Sequence, residues 1–211
     1  MRTVPRLHRL ALLPLALAVL CAGCTPLLER KPVEKQRFVL QTPLPEVVPG
    51  SRAGVLRVGV VRVSPPFQNR GFVLRTGDDS YTSDFYNEFA APPGTLLRDV
   101  LVEWLRNGTH FASVVRSSEA SLDWVLETDL ESLFADARDP AALPQVTIAF
   151  SVRLIDARAS GLPIRFEKRY AASEAAADRM PRAFAEAWNH ALGRLLPQLA
   201  ADLDAATAHR P

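Results

Sequence analysis

The chain is poor in cysteine, the residue that forms disulfide frameworks and thiol-based sites. Only two of its 211 residues are cysteine, and both of them, Cys21 and Cys24, lie in the first 24 positions. The rest of the chain carries no thiol, which excludes a disulfide framework, a cysteine-ligated metal and a thiol nucleophile there. A hydrophobic core alone must therefore stabilise the domain, and roughly 150 residues are enough to form one such core.

A hydrophobic run long enough to cross a membrane is missing from the N-terminal region. The apolar run there covers residues 10–20, whereas a transmembrane helix needs about 20 apolar residues. Three arginines precede the run, and two small residues close it directly before Cys24. A positive start, a short apolar centre and a small-residue cleavage site are typical of a bacterial export signal. The sequence therefore predicts that residues 1–23 are a lipoprotein signal peptide.

The end of this signal resembles a lipobox, the site at which bacterial lipoproteins are cleaved and lipidated. Ala22 and Gly23 stand directly before Cys24. The resemblance implies that Cys24 receives a diacylglycerol thioether, becomes the first mature residue and is acylated on its amine by a fatty acid such as palmitate. Cys21 is not the lipidated residue, because Leu20 before it is too bulky for the peptidase.

Residues 24–36 contain charged side chains and two prolines, and their apolar residues show neither helical nor strand spacing. They are predicted to form a lipidated tether between the anchor and the domain. Several acyl chains on one cysteine anchor a protein firmly, whereas one chain alone is marginal. In enteric bacteria an Asp after the cysteine retains lipoproteins at the inner membrane. Thr25 stands there in this chain, so we expect the periplasmic face of the outer membrane.

The chain has little excess charge of either sign once the signal is removed. The whole sequence contains 25 Lys and Arg against 23 Asp and Glu. Subtracting the three arginines of the signal from the 25 leaves 22 basic residues against 23 acidic ones. A near-neutral mature domain argues against nucleic acid or another polyanion as a partner.

The spacing of apolar residues after the tether predicts an α+β domain. Strand patterns occur at residues 37–41, 55–63, 72–75, 81–85, 111–115, 122–134, 146–155 and 164–171, and helical patterns occur at residues 95–107 and from Pro181 onward. Residues 55–63 are expected to be one continuous central strand, and the last three strands an antiparallel meander with one wet face. Thr95 is the expected N-cap of the first helix, and Pro197 is expected to kink or split the second. We therefore expect a mostly antiparallel sheet with two main helices packed on one face, and a disordered tail at residues 206–211.

The sequence lacks the patterns of a catalytic or metal site. It has no Gly-rich phosphate loop and no Gly-x-Ser-x-Gly elbow. Glu186 and His190 share a helix face, but no further ligand follows them, which favours a surface pair over a zinc site. Asp78, Asp79 and Asp84 crowd one turn without the spacing of a calcium loop. We therefore predict a protein that is not an enzyme, with no catalytic residues, no metal and no cofactor.

One predicted β-hairpin, residues 72–75 and 81–85, leads into a segment that is unusually rich in aromatic residues. Four aromatic residues follow Arg75 closely, namely Tyr81, Phe85, Tyr86 and Phe89. Strand alternation places Tyr81 and Phe85 on one face. Tyr and Arg are enriched at protein contacts, so the hairpin could join a partner's sheet or rim. The alternative is that the aromatic residues are half core and half solvated, with Arg75 paired to Asp84.

The same segment resembles the ABC-type transport auxiliary lipoproteins. The resemblance rests on the run Arg75-Thr76-Gly77-Asp78, on Tyr81, and on the run Asp84-Phe85-Tyr86-Asn87-Glu88-Phe89-Ala90-Ala91-Pro92-Pro93. Trp104, Leu105, Phe111, Val114 and the lipidated start also fit. The resemblance implies one auxiliary-lipoprotein domain, which we place at residues 37–205.

The resemblance also implies a role in lipid transport. Members of the family work with MCE-domain proteins and an ABC transporter that move phospholipid or other hydrophobic molecules between the two membranes. The lipoprotein docks on the periplasmic MCE-domain protein and has no catalytic activity. By this resemblance we expect Arg75, Tyr81, Tyr86 and Phe89 to lie on or to support the docking surface. The lipid anchor makes the membrane a second partner.

Two other functions stay open at this point. A lipid-binding periplasmic carrier would need a groove for phospholipid, lined by residues such as Trp124, Phe150 and Trp188. Their positions in the sequence favour a packed core instead. A structural outer-membrane lipoprotein of a secretion or envelope-assembly complex would have the same α+β architecture and different partners.

Overall fold

The computed structural model describes residues 34–48, 54–117 and 121–208. Their strands are β1 Gln36–Phe38, β2 Val55–Val58, β3 Arg62–Val63, β4 Gly71–Arg75, β5 Tyr81–Phe89, β6 Ser113–Val115, β7 Trp124–Asp136, β8 Gln145–Asp156 and β9 Ile164–Ala175. The helices are α1 Pro93–Gly108 and α2 Pro181–Ala208, and a short 3-10 helix, Pro65–Phe67, follows β3. Within these residues, nine strands form one sheet and two α-helices accompany it, which confirms the predicted α+β class.

The longest strand, β7, lies at the centre of the sheet. Strand β8 pairs antiparallel along the whole of β7, and β9 pairs antiparallel with β8. On the other edge of β7, strands β2, β3 and β4 pair with it one after another, all in parallel. Beside β2 lies β6, and beside β4 lie β5 and then β1. The long ladders are therefore antiparallel as predicted, and the short strands add parallel pairs.

The predicted central strand at residues 55–63 is interrupted. Strand β2 ends at Val58, and pairing with β7 resumes at Arg62. Between them the Gly59 N–H still donates to the Leu126 carbonyl at 2.9 Å, but Val60 is 76% exposed. The prediction of one continuous strand covered on both faces is wrong, because the strand breaks at residues 59–61 and Arg62 faces solvent.

Helix α1 begins two residues earlier than its predicted N-cap. Pro92 occupies the N-cap and Pro93 the first helical position. Proline suits that position because the N–H groups of the first turn have no intrahelical partner. Thr95 lies inside the first turn, where its backbone N–H donates to the Pro92 carbonyl at 2.9 Å. The prediction that Thr95 caps the helix is therefore wrong.

Helix α2 begins at Pro181 as predicted and stays a single helix through Pro197 to Ala208. The predicted split is absent because buried leucines on both sides of the proline, Leu195, Leu196 and Leu199, hold the helix against the sheet. A proline inside a helix costs about 3 kcal/mol, and tertiary packing supplies most helical stability in proteins. Residues 206–208 are helical, within the segment predicted as a tail.

The core lies between the helices and one face of the sheet. Trp124, Phe150 and Trp188 are completely buried there. The Trp188 indole N–H donates to the Thr147 carbonyl at 3.2 Å, which satisfies its polar atom. These three residues, named above as a possible lining of a lipid groove, are packed core.

The opposite face of the sheet, called the open face below, carries ion pairs. Its charged residues come from β3, β7, β8 and β9 and comprise Arg62, Glu127, Asp129, Glu131, Arg153 and Arg169. Arg62 Nε lies 2.5 Å from Asp129 Oδ1, and Arg153 Nη2 lies 2.9 Å from Glu127 Oε2. This arrangement confirms the predicted wet face of the meander.

Several sequence predictions lie outside the described residues. These are the signal peptide at 1–23, the lipidated Cys24, the tether up to residue 33 and the tail from residue 209. The described chain enters the sheet at Gln36. No helix in the described part is both long and apolar enough to span a membrane.

Candidate partner-binding surface

The predicted hairpin is present as β4 and β5. Arg75 pairs with Tyr81 near the turn, and Gly71 pairs with Glu88 at the far end, with a register shift between residues 71 and 73. A Cβ at position 71 would lie 2.7 Å from the backbone carbonyl oxygen of Asp84, which cannot rotate away, and 2.4 Å from the Ser83 Oγ. Glycine is therefore required at position 71, where β4 and β5 approach each other closely.

Arg75 is fixed by the turn that it precedes. Its Nη2 donates to the Asp78 carbonyl at 2.6 Å, and its Nε donates to the Gly77 carbonyl at 3.3 Å. The Asp136 carboxylate, at the end of β7, lies 3.9 Å from the Nη1 of Arg75. The guanidinium is thus held in one orientation and remains partly exposed.

Asp84, the predicted partner of Arg75, is used elsewhere. Its Oδ1 accepts from the backbone N–H of Tyr86 at 2.8 Å and of Asn87 at 3.1 Å, and its Oδ2 accepts from the Asn87 amide at 2.8 Å. An aspartate that bonds to the backbone two and three residues ahead forms a local turn. The Arg75–Asp84 pair that the alternative interpretation of the hairpin expected is therefore wrong.

Tyr81 is exposed but well supported on the open face. It is 44% exposed. Its ring meets Phe134 edge-on at 5.7 Å between centroids and Phe67 edge-on at 6.2 Å. Phe67 and Phe134 stack on each other at 6.2 Å. These three aromatic residues, with Arg75, are called the turn-side patch below.

A second arginine ties the hairpin turn to β7 beside this patch. Arg138 Nη1 lies 2.6 Å from Asp78 Oδ1, and its Nη2 lies 2.7 Å from Asp136 Oδ2. The hydrogen bond from Arg138 holds the pKa of Asp136 below its ordinary value. Asp136 is therefore a carboxylate at neutral pH and fixes the base of the turn-side patch.

Tyr86 lies apart from Tyr81, near the other end of β5. Tyr86 is 48% exposed and its ring meets Phe85 edge-on at 5.3 Å; Phe85 is 68% exposed. Lys35 Nζ lies 4.1 Å from the centroid of the Phe85 ring, a cation–π distance. The structure thus separates two residues that the sequence analysis assigned to one surface.

Phe89 lies in the core. It is 2% exposed and packs against Phe72 at 4.7 Å and Trp188 at 5.4 Å between ring centroids. It therefore contacts no partner directly and supports the hairpin from within. Of the four predicted residues, Arg75 and Tyr81 are paired neighbours, Tyr86 is exposed further along β5 beside Phe85, and Phe89 is buried in the core.

Sequence reasoning missed a charged cluster at the same end of β5. Glu88 is buried and faces three cations: Arg37 Nε at 3.1 Å, Arg70 Nη2 at 3.1 Å and Lys35 Nζ at 3.5 Å. The hydrogen bond from Arg37, supported by the charges of Arg70 and Lys35, lowers the pKa of Glu88. Lys35 and Arg37 stand far from Arg70 and Glu88 in the sequence, and the parallel pairing of β1 with β5 and the antiparallel pairing of β4 with β5 bring the four residues together.

Nothing in the described ranges has the geometry of a metal site, since no group of three His, Cys, Asp or Glu side chains converges there. Glu186 and His190 border a shallow cleft with Gln41, Thr42 and Asn189 on the surface of α2. Asp78 pairs with Arg138 while Asp84 bonds its own backbone, so these two acids do not share a ligand.

Solved structures share this fold. Protein XCC0632 from Xanthomonas campestris is 16% identical and matches 82% of this chain and 96% of its own, with a TM-score of 0.69. An uncharacterized protein is 17% identical over 81% of this chain and 99% of its own, with a TM-score of 0.63. The hypothetical protein CT253 from Chlamydia trachomatis is 10% identical over 75% of this chain and 100% of its own, with a TM-score of 0.51. At these identities the likeness shows the fold alone.

The search of curated proteins finds no match. The family model of the ABC-type transport auxiliary lipoprotein component, in contrast, matches residues 38–200, which include strands β2 to β9, helix α1 and most of α2. The segment that carries the sequence resemblance, from Arg75 to Pro93, lies entirely within that match. The chain therefore belongs to the family of ABC-type transport auxiliary lipoprotein components.

Proposed function

We propose that this chain is an outer-membrane lipoprotein that serves an MCE/ABC-type lipid transport system from the periplasmic face. Acyl chains on Cys24 anchor it, and the domain docks on a periplasmic MCE-domain protein and supports intermembrane lipid transport. Membership of the family supports the association with an ABC transport system. The MCE partner, the lipid cargo and the membrane are our proposal.

The observation that carries the docking proposal is the turn-side patch. Tyr81 is nearly half exposed, yet Phe67 and Phe134 support its ring and Arg75 beside it is held by two carbonyls. Residues that dominate protein interfaces are enriched in Tyr and Arg. Side chains that are already fixed lose less conformational entropy on binding. The patch therefore presents an anchor that is ordered before the partner arrives.

The chain acts in this proposal by binding and not by catalysis. The family is one of transport auxiliary proteins. The ion pairs on the open face satisfy one another, and the turn-side patch contains no nucleophile or general base beside an open pocket. Arg75 and Tyr81 contact the partner, and Phe89 keeps the hairpin in place from the core.

The test is to isolate the native lipidated protein from envelopes in mild detergent and to identify its partners by mass spectrometry. We expect an MCE-domain protein with the wild type and a loss of at least about tenfold with Tyr81→Asp, because truncating a central anchor costs about 2 kcal/mol or more. Ile164→Asp is the matched control. Ile164 is also half exposed and lies at the opposite end of the sheet, near the β8–β9 turn.

The outcomes separate the proposed function from its two alternatives. Loss of the MCE-domain protein with Tyr81→Asp but not with Ile164→Asp supports docking through the turn-side patch. Recovery of stoichiometric phospholipid without an MCE-domain protein would favour a lipid carrier. Recovery of a secretion or envelope-assembly component would favour a structural module.

A further inference from the structure

A second exposed aromatic pair lies at the other end of β5, outside the proposed docking surface. Phe85 and Tyr86 are 68% and 48% exposed and touch each other edge to face. Lys35 covers one side of the Phe85 ring, and Arg70 lies beside it. We call these four residues the tether-side patch.

The tether-side patch lies where the chain enters the domain. Gln36, the first residue of β1, is paired with Asn87 on β5, and Lys35 before it contacts Phe85. The predicted anchor, Cys24, stands 11 residues before Lys35. An extended chain spans at most about 3.6 Å per residue, so this corner lies within about 40 Å of the membrane surface.

The patch also has an excess of positive charge. Three cations, Lys35, Arg37 and Arg70, surround the carboxylate of Glu88, and Asp84 adds a second carboxylate to the cleft beside them, so three positive charges stand against two negative ones. The cations are half exposed, whereas the Glu88 side chain is 7% exposed. A cleft of about 500 Å³ brings the Phe85 ring together with Lys35 and Arg70, and its lining also includes Asp84 and Glu88. Exposed aromatic rings next to exposed cations match the chemistry of a bilayer surface that contains anionic lipid.

We propose that the tether-side patch lies on the surface of the membrane that anchors the chain, with Phe85 and Tyr86 in the interfacial region and Lys35 and Arg70 at the lipid phosphates. The proposal rests on the lipidation of Cys24 that the proposed function includes. A short tether gives the patch a high effective concentration at the bilayer, so that weak individual contacts suffice to orient the domain.

In this orientation the tether-side patch contacts the membrane, and the turn-side patch is free to contact a protein partner. Tyr81 lies opposite Arg75, whereas the stretch of β5 that contains Tyr86 lies opposite residues 71–73, so about three residues of β4, roughly 10 Å at about 3.4 Å per residue, separate them along the strand. With the tether-side patch on the lipid, the turn-side patch is held off the surface. A periplasmic partner can then reach Tyr81 while the domain rests on the membrane.

The test attaches the chain from Cys24 onward to vesicles through its own cysteine, the single thiol left after the signal is removed. The vesicles contain phosphatidylcholine, phosphatidylglycerol, a lipid with a maleimide headgroup and a lipid brominated in the upper acyl chain. Bromine quenches tryptophan fluorescence at short range. Because Trp104, Trp124 and Trp188 are buried, the wild type gives an unquenched background.

Phe85→Trp is compared with Tyr81→Trp, a matched replacement at the other end of the same strand. The Phe85→Trp variant emits more tryptophan fluorescence than the wild type. We expect this additional emission to decrease by roughly half or more on brominated vesicles, because interfacial side chains reach about 5–10 Å into the headgroup and acyl boundary. Fluorescence added by Tyr81→Trp should stay unchanged. Tyr86→Trp gives a second probe of the patch and is expected to behave like Phe85→Trp.

Equal emission of Phe85→Trp and Tyr86→Trp on brominated and unbrominated vesicles would overturn the proposal. So would equal quenching at position 81, because the domain would then have no preferred orientation. The coupling is chemical and no MCE-domain protein is present, so neither failure bears on docking. If Phe85→Asp abolishes recovery of the MCE-domain protein and Phe85→Trp is unquenched, the tether-side patch is a protein contact and the proposal is wrong.

Discussion

The two faces of the sheet use the same strands for different purposes. On the covered face, alternate residues of β7 and β8 pack against the helices and are almost fully buried, as at Leu126 and Val152. On the open face, the residues between them form ion pairs around Asp129 and Arg153 and then the aromatic contacts of Tyr81. The covered face supplies the hydrophobic free energy of folding, and the open face carries groups that remain available to a partner.

The comparison shows where a substitution should affect stability and where it should affect recognition. Burial of apolar surface contributes about 25 cal/mol per Å², whereas exposed ion pairs contribute about 0–1 kcal/mol each. Loss of a buried ring should therefore destabilise the domain strongly. Loss of an exposed ring or charge should leave the domain folded and change what it binds.

The largest effect is expected for Trp188→Ala on the covered face. Trp188 is completely buried between Phe72 and Phe89, with ring centroids at 5.0 and 5.4 Å. Its removal leaves a large cavity and should lower the free energy of unfolding by about 3–5 kcal/mol. Urea unfolding followed by circular dichroism measures the change. The exposed Phe85→Ala is the control, and a comparable loss there would contradict the distinction between covered and exposed positions.

A smaller effect is expected for Tyr170→Phe, also on the covered face. The Tyr170 hydroxyl donates to Asp202 Oδ2 at 2.6 Å, and burial together with Asp202 raises the pKa of the phenol. Loss of a hydrogen bond to a charged group costs about 1.5 kcal/mol or somewhat more. Lys168 Nζ, also 2.6 Å from Asp202, keeps that carboxylate paired in the variant. An unchanged urea midpoint would show that Lys168 alone satisfies Asp202.

On the open face, Arg62→Ala should cost less. Arg62 bridges Asp129 and Glu127 but its side chain is more than half exposed. Exposed pairs of this kind contribute about 0.2–1 kcal/mol, and the contribution declines as salt screens them. Urea unfolding at low and high salt should show the difference between wild type and variant shrinking. A loss above that of Tyr170→Phe would mean that the open face also stabilises the fold.

The smallest effect is the acid dependence of the same pair. The hydrogen bond from Arg62 lowers the pKa of Asp129 below its ordinary value. A carboxyl whose pKa is lower in the folded state adds stability above its unfolded pKa, near 3.9, and this stability is lost as the pH falls through the folded pKa. NMR titration should place the Asp129 midpoint below that of an ordinary aspartate in the wild type and nearer to it in Arg62→Ala. Identical midpoints would contradict the pairing.

Much of this fold follows from local patterns in the sequence. Alternation of apolar and polar residues in segments 122–134 and 146–155 predicts two long half-buried strands, and both are present as β7 and β8. Pro181 marks the start of α2 for a reason visible in the sequence, because proline suits a first turn. The parallel pairing of β2, β3 and β4 with β7 could not be predicted, since short strands of similar composition give no register.

The candidate surfaces were harder to predict because β5 does not alternate regularly. The Asp84 carboxylate bonds the backbone of Tyr86 and Asn87, and the register to β4 shifts by an odd number of residues there. A shift of that kind moves the following side chains to the opposite face. Phe89 therefore enters the core, and Phe85 and Tyr86 are exposed together. The sequence shows the aromatic residues but not this local turn.

The most direct test of the proposed docking is site-specific photocrosslinking in cells. A benzoylphenylalanine is placed at position 81 on the turn-side patch and, in a second variant, at position 164 at the opposite end of the sheet. The account predicts a crosslink to an MCE-domain protein from position 81 and none from position 164. A crosslink to that protein from position 164 alone would contradict the account. So would the absence of a crosslink from both positions while the lipidated chain is present in the envelope.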